Sequence, residues 1–338
     1  MTGSPVRALA GASPALCLWV CPALGAEFVD VTQQAGITFR HVNRASQARH
    51  FIETMGPGCA FVDYNGDGRT EPSMGSDCGD YDRDGDLDLV VSNFQEEACA
   101  LYAYRGDGMF RSESVPSGIG LPTRPMVGWG VAFLDYDNDA FLDLFIANGH
   151  VLDNVELLDS RATYAQRTQL LRNRGPGPDG RFTFEDVTDA SGPGMALVKP
   201  SRGAAVGDYD NDGDLGILVA NVDDAPTLLR NDSQRQHHWV RVQVQGTTAN
   251  RDGIGARVEV VADGVRQVNQ VKSGASLYSQ SDLRLWFGPG RSEPVERVAV
   301  RWPGGGEDVV GPVSADRTIR IRQGQGLVTG SEALVPPH

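Results

Sequence analysis

Four nine-residue segments of this 338-residue chain place oxygen-bearing side chains at alternate positions: Asp63-YNGDGRT-Glu71, Asp80-YDRDGDL-Asp88, Asp135-YDNDAFL-Asp143 and Asp208-YDNDGDL-Gly216. In a tight turn, positions one, three and five can aim carboxylates at one point, position seven can add a backbone carbonyl, and position nine can close the cage. A calcium ion takes about six to eight oxygens at ~2.3–2.6 Å, and this spacing meets that demand. Glycine at position six lets the chain wrap tightly. The second segment is complete, with Asp80, Asp82, Asp84, the carbonyl of Asp86, and Asp88 around Gly85. The first offers Asp63, Asn65, Asp67 and Glu71, the longer glutamate changing the reach. The third offers Asp135, Asp137, Asp139 and Asp143 but has Ala140 where glycine is expected, which leaves a strained turn or an altered geometry as the alternatives. The fourth keeps Asp208, Asp210, Asp212 and Gly213 and ends in Gly216, so it is expected to bind more weakly or through water. Turn propensity alone explains one such loop. Four in register, holding 16 Asp or Glu, call for counter-ions, because carboxylates a few Å apart oppose one another's ionisation. Ca2+ is the cofactor expected.

Other chemistry is poorly represented. No phosphate loop, HExxH or GxSxG stands in the sequence, and His41, His50, Glu53 and His150 lack a base-and-nucleophile spacing, so no catalytic residue is assigned. Arg105-Gly106-Asp107 reads as a hairpin tip, Asn231-Asp232-Ser233 as a glycan acceptor pattern, and Trp129, Trp239, Trp286 and Trp302 as core residues.

The elements that must hold the acidic loops are strands. Gly130-VAFLD and Gly203-AAVGD precede loops; Leu87-DLVVSN, Leu142-DLFIAN and Leu215-GILVAN follow them. These short β-branched runs read as buried strands, making each loop the tip of a β-hairpin instead of the hinge of a helix pair. Alternation in Val240-RVQVQ, Val258-EVV and Thr318-IRIR predicts half-exposed antiparallel strands of a small sandwich.

Loop starts at 80, 135 and 208 leave room for a four-stranded blade in each interval, and matching phrases recur: Leu101-YAYRGDGMF with Leu170-LRNRGPGPDGRF, Phe28-VDVT with Phe184-EDVT. Together these resemble the FG-GAP or VCBS repeats of integrin-like β-propellers, and the resemblance implies calcium in the hairpin loops. A second set, His238-Trp239-Val240-Arg241-Val242, Asn250-RDGIGARV, Gln270-VKSGASLYSQSD, Phe287-GPG and Val300-RWPGG, resembles the ASPIC/UnbV module that follows such repeats in bacterial proteins and in relatives of the cartilage acidic proteins. Pro289 departs from the aliphatic residue usual there, and no six-cysteine EGF-like module follows. Asp63 and Asp80 are too close for the strands of a blade, which points to blades lost near 69–73. An incomplete ring leaves sheet edges that another chain must cover.

The predicted fold is all-β: a partial FG-GAP-type propeller of about three to four blades followed by a small β-sandwich. The expected division is a signal peptide at 1–26, repeats over 27–236, the sandwich over 237–326 and a tail over 327–338. Arg7, the apolar run Ala8 to Leu24 and the small pair Gly25-Ala26 carry the signal-peptide reading. Cys59, Cys78 and Cys99 then remain, permitting one bridge at most and suiting small buried side chains. A formal charge of -14 repels nucleic acid, and no later segment is long and apolar enough to span a bilayer. The function expected is a secreted or periplasmic, calcium-binding, non-enzymatic adhesion protein that presents propeller loops to an extracellular protein or glycan. The alternatives are an extracellular carbohydrate-active enzyme and a truncated, non-functional family member.

Overall fold

The computed structural model describes residues 27–37, 60–62, 71–106, 108–233 and 236–328. The expected signal peptide, Asp63, Asn65, Asp67, His41, His50, Glu53, Cys59 and Asp107 lie outside the described residues, as does the side chain of Glu71.

Three four-stranded antiparallel sheets follow one plan. The first blade runs Ser76–Gly79, Asp88–Val91, Ala100–Tyr104, Phe110–Ser112. The second runs Gly128–Leu134, Asp143–Asn148, Gln169–Pro176, Phe182–Asp186. The third has Ser201–Gly207, Gly216–Asn221 and Thr227–Asn231, and takes its outer strand, Phe28–Asp30, from the far end of the chain. That exchange accounts for the Phe28/Phe184 echo, because both phrases form fourth strands. Asp30 Oδ1 accepts from the Thr32 N–H at 2.9 Å, and the Thr32 hydroxyl accepts from the Leu228 N–H at 2.7 Å. Asp186, Thr188 and Leu170 repeat the arrangement at 3.0 and 3.0 Å.

The blades stack face to face with their first strands innermost. Glycine permits the approach: a Cβ at Gly75 would lie 2.0 Å from the Trp129 carbonyl oxygen, and one at Gly130 2.6 Å from the Ala204 nitrogen. Val90, Leu101 and Ala103 of the first blade share a core with Val131, Leu144, Ile146 and Phe184 of the second. Leu134, Phe145 and Leu170 of the second pack with Phe28, Ile217, Val219 and Leu229 of the third. Position two of the second and third acidic loops carries a tyrosine that enters the next blade. Tyr81 stacks on Phe133 and Tyr136 meets Phe28 edge-on. Tyr209 stands at the same place in the third blade and is 43% exposed, because no fourth four-stranded blade follows it among the described residues. A two-stranded hairpin, Ala60–Val62 with Glu71–Ser73, precedes the first blade, and only Met74 and Gly75 separate it from Ser76.

The C-terminal part is a sandwich of two four-stranded sheets. One holds Leu285–Gly290, His238–Gln245, Arg317–Arg322 and Gly326–Leu327; the other Val265–Gln270, Arg257–Ala262, Arg297–Arg301 and Glu307–Val310. Val240, Val242, Val258, Val260, Phe287, Val298, Val300 and Ile321 fill the space between them. The expectation of purely antiparallel strands is corrected here: His238–Gln245 runs parallel to Arg317–Arg322. Alternation reports which face is buried, and both directions produce it; the long connection between these strands allows the parallel one.

The segment between Val271 and Leu285 leaves the sandwich and bridges the inner edges of the first and third blades. The Ser276 N–H donates to Ser76 O at 3.0 Å, the Asp282 N–H to Val206 O at 3.0 Å, and the Val206 N–H to Ser281 Oγ at 3.1 Å. Lys272 pairs with the buried Asp77 carboxylate. Edges that a short ring leaves open are thus partly met within the chain.

Phe28 is fully buried between two blades at the strand that completes the third. Phe28→Ala is expected to lower stability by about 3–5 kcal/mol. The 84%-exposed Leu157 changed to Ser is expected to shift it by less than about 0.5 kcal/mol. Urea denaturation of both variants checks the contrast.

Candidate metal centres

The three described acidic loops share one backbone. Each joins the first and second strands of its blade, and each has positive φ at positions four and six: Arg83 and Gly85, Asn138 and Ala140, Asn211 and Gly213. Ala140 therefore adopts the left-handed turn at φ 75°, a conformation glycine would reach without steric cost. Hydrogen bonds repeat as well. The position-six N–H donates to the position-one carboxylate at 3.2 Å in Gly85–Asp80, 3.0 Å in Ala140–Asp135 and 3.3 Å in Gly213–Asp208. The position-seven N–H donates to position five at 2.8, 3.0 and 3.0 Å.

Position nine ties the tip to the sheet. Asp88 accepts from the Tyr81 N–H at 3.2 Å and from the Tyr104 N–H of the third strand at 3.0 Å. Asp143 does the same with Tyr136 at 3.2 Å and Asn173 at 2.8 Å. Gly216 forfeits both links in the third blade.

These turns bring carboxylates together. Asp80, Asp82 and Asp88 present oxygens within 4.8 Å of one another; so do Asp135, Asp137 and Asp143, and Asp208, Asp210 and Asp212. Asp84 is exposed and accepts from the Asp86 N–H, Asp86 faces Arg257 at 3.6 Å, and Asp139 meets Arg172 at 3.1 Å. The donor set fits a hard divalent cation, since it is all oxygen. Two buried carboxylate oxygens, Asp80 Oδ2 and Asp137 Oδ1, have no hydrogen-bond partner. A buried orphan acceptor costs about 1–3 kcal/mol, more when charged, so both call for a positive ligand.

Burial and crowding show in the acidities. Burial, reinforced by neighbouring aspartates, pushes Asp80 up to about 7 and Asp88 to about 8. The same causes raise Asp137 to about 6 and hold Asp135 and Asp143 well above the carboxylate range. Desolvation disfavours the charged form, and a cation reverses that preference.

The sandwich lies over the acidic tips, which the separate motifs did not foretell. The His237 ring nitrogen lies 2.9 Å from Asp137 O, Trp286 Nε1 donates to Asn138 Oδ1 at 2.9 Å, and a Cβ on Gly288 would come within 2.3 Å of Asp135 Oδ2. Arg266 rests against Gly85, and Arg241 pairs with Asp208. Arg172, Asn173 and Arg241 are the site residues that motif spacing missed. Arg172 and Asn173 stood within the repeated Leu170-LRNRG phrase and Arg241 within the His238-Trp239-Val240-Arg241-Val242 phrase, but nothing in either phrase named the carboxylate that the fold brings to it.

Several other side chains have structural roles. Asn231 is buried, donates to Tyr136 O at 2.8 Å and accepts from Ser233, which leaves its amide unsuited to glycan attachment. His150 is buried and its Nδ1 accepts from the Leu152 N–H at 3.0 Å. Cys78 and Cys99 are free thiols. Trp129, Trp239, Trp286 and Trp302 are buried, Trp239 stacked on Trp286 at 4.9 Å.

A partial ring of blades with acidic nine-residue tips is the architecture of an FG-GAP-type β-propeller, here roofed by a sandwich. Residues 80–146 match the FG-GAP-like repeat and residues 246–328 match ASPIC and UnbV, so the chain carries both, in that order. It is 25% identical over 235 residues to cartilage acidic protein 1 of Mus musculus, covering 67% of this chain and 33% of that protein. The Homo sapiens protein of that name is likewise 25% identical over 235 residues, covering 67% and 32%. The match thus spans about a third of these curated relatives.

A carboxyl whose folded pKa exceeds its unfolded value of 3.8 stabilises the fold while protonated and ceases to as pH rises through the folded pKa. In chelator, stability is therefore expected to fall between about pH 4 and 8, from the unfolded carboxyl value up to the folded values of Asp80 and Asp88. Asp88→Asn should flatten that slope. Urea midpoints across this range check both.

Proposed function

We propose that this is an extracellular, calcium-binding, non-enzymatic binding protein in which divalent ions at the Asp80 and Asp135 loops hold the blade tips in shape beneath the sandwich. The observation that carries the reading is the convergence of buried carboxylates at these tips around oxygens that nothing in the protein satisfies. Asp80, Asp82, Asp88 and the Asp86 carbonyl would supply one site, and Asp135, Asp137, Asp143 and the Phe141 carbonyl another. The ion would neutralise charge that folding forces together, and its chemistry would be structural.

The tips face the sandwich, so a partner would meet other surfaces. Alternate connections of an up-and-down sheet emerge at opposite ends, and those away from the tips expose Leu121, Leu157, Leu158 and Val198. This end of the blades is what remains open to an extracellular protein or glycan. No helix among the described residues is long and apolar enough to cross a membrane. Similarity to cartilage acidic protein 1 and the apolar N-terminal stretch support an extracellular setting.

Calcium added to chelator-treated protein at pH 7.5 is expected to raise the melting temperature, with half-saturation on the order of 10⁻⁴–10⁻³ M as in extracellular modules. Asp80→Asn and Asp135→Asn should each remove one bound ion in equilibrium dialysis. Melting unchanged by calcium, together with no bound ion, would reject the reading.

A further inference from the structure

We infer that the fourth acidic loop takes its cation from within the protein: the Arg241 guanidinium occupies the place a metal ion would hold and latches the sandwich to the third blade. Arg241 Nη1 lies 3.0 Å from Asp208 Oδ2, the position-one carboxylate, whose side chain is fully shielded from solvent. Its Nη2 donates to Asn211 Oδ1 at 3.1 Å and its Nε to Thr318 Oγ1 at 2.8 Å. The fork is thus spent on three acceptors in fixed directions, a geometry suited to guanidinium and beyond an ammonium.

Comparison of the loops identifies the occupant. In the second loop Asp80 Oδ2 is buried and orphaned; in the fourth, Asp208 Oδ2 accepts from the Gly213 N–H at 3.3 Å and from Arg241 at 3.0 Å, and no buried carboxylate oxygen is left without a partner. The third loop also has an arginine neighbour, but Arg172 reaches the outer Asp137 and Asp139 and leaves Asp137 Oδ1 unsatisfied. Only the fourth loop lacks the position-nine carboxylate, so one guanidinium beside Asp208 meets a smaller demand there. Asp210 and Asp212 remain exposed to water.

The same contact is a latch because its two halves belong to different parts of the fold. A Cβ on Gly213 would lie 2.3 Å from Trp239 Nε1, so the sandwich bears directly on the turn. Trp239 and Trp286 stack beside Arg241, whose Cζ lies 5.8 and 5.6 Å from the two rings, and both join the core of the second and third blades. Removing one partner of a buried pair leaves the other charge uncompensated, whereas removing both does not.

The stoichiometric part of this inference rests on the calcium reading; the latch does not. Calcium dialysis and hydrogen exchange are measured on the full chain, on Asp80→Asn, Asp208→Asn and Arg241→Met, and on the Asp208→Asn/Arg241→Met pair. Asp80→Asn should lose one ion and Asp208→Asn none. Amides over 208–217 should exchange on the order of a hundredfold faster in each single variant at this pair, with no comparable further increase in the double variant. Arg241→Lys, which keeps the charge but cannot span both acceptors, should give a smaller rise and serves if Arg241→Met does not fold. Loss of an ion in Asp208→Asn, or additive exchange effects, overturns the inference. Absence of calcium from every variant with coupled exchange intact overturns the calcium reading and upholds the latch.

Discussion

Like charge held at close range is the constraint on which this structure depends. Each described blade bends between its first and second strands through a turn whose backbone requires carboxylate acceptors at positions one and five, and in two blades at position nine. The residues that shape the turn are the residues that repel one another. Burying them against the next blade and beneath the sandwich raises the cost of their charge, as the raised pKa values of Asp80, Asp88, Asp135 and Asp143 show. A cation at each tip would relieve that cost, and the loops differ in which cation their geometry would admit.

That constraint links parts distant in sequence. The position-nine aspartate joins the tip to the third strand through Tyr104 or Asn173, so the turn and the sheet order together. In the first two blades position two sends a tyrosine into the neighbouring blade, which makes those tips part of an interblade core. The outer strand of the third blade comes from residues 28–30, so that sheet cannot form until both ends of the repeat region meet. Local hydrogen bonding, blade stacking and closure are therefore one cooperative problem.

The sandwich is more than an appended module. Its inner segment occupies the gap between the first and third blades, and its sheets roof the acidic tips through His237, Trp239, Arg241, Trp286 and Gly288. The tips become interior features. A short ring is thereby given a covering at its centre and at one end, while Tyr209 and Leu218 mark the face of the third blade that stays bare.

Much of this was legible in the residues themselves. Asp at positions one, three and five with a turn-forming sixth residue specifies a local backbone, because the acceptors and donors lie within a few residues of one another; β-branched runs flanking it specify a hairpin. Ala140 shows how firmly that local pattern acts, since it assumes the left-handed turn without glycine's freedom. Alternation in the C-terminal phrases likewise announced two buried sheet faces. What the sequence could not determine was which surfaces meet. The parallel pairing of the strands around Val242 and Ile319, the enclosure of the tips by the sandwich, and the choice of Arg241 as the companion of Asp208 depend on contacts between residues far apart in the chain. An arginine on an alternating strand reads as a solvated charge until the fold carries a buried carboxylate to it, and only the tertiary structure supplies that encounter.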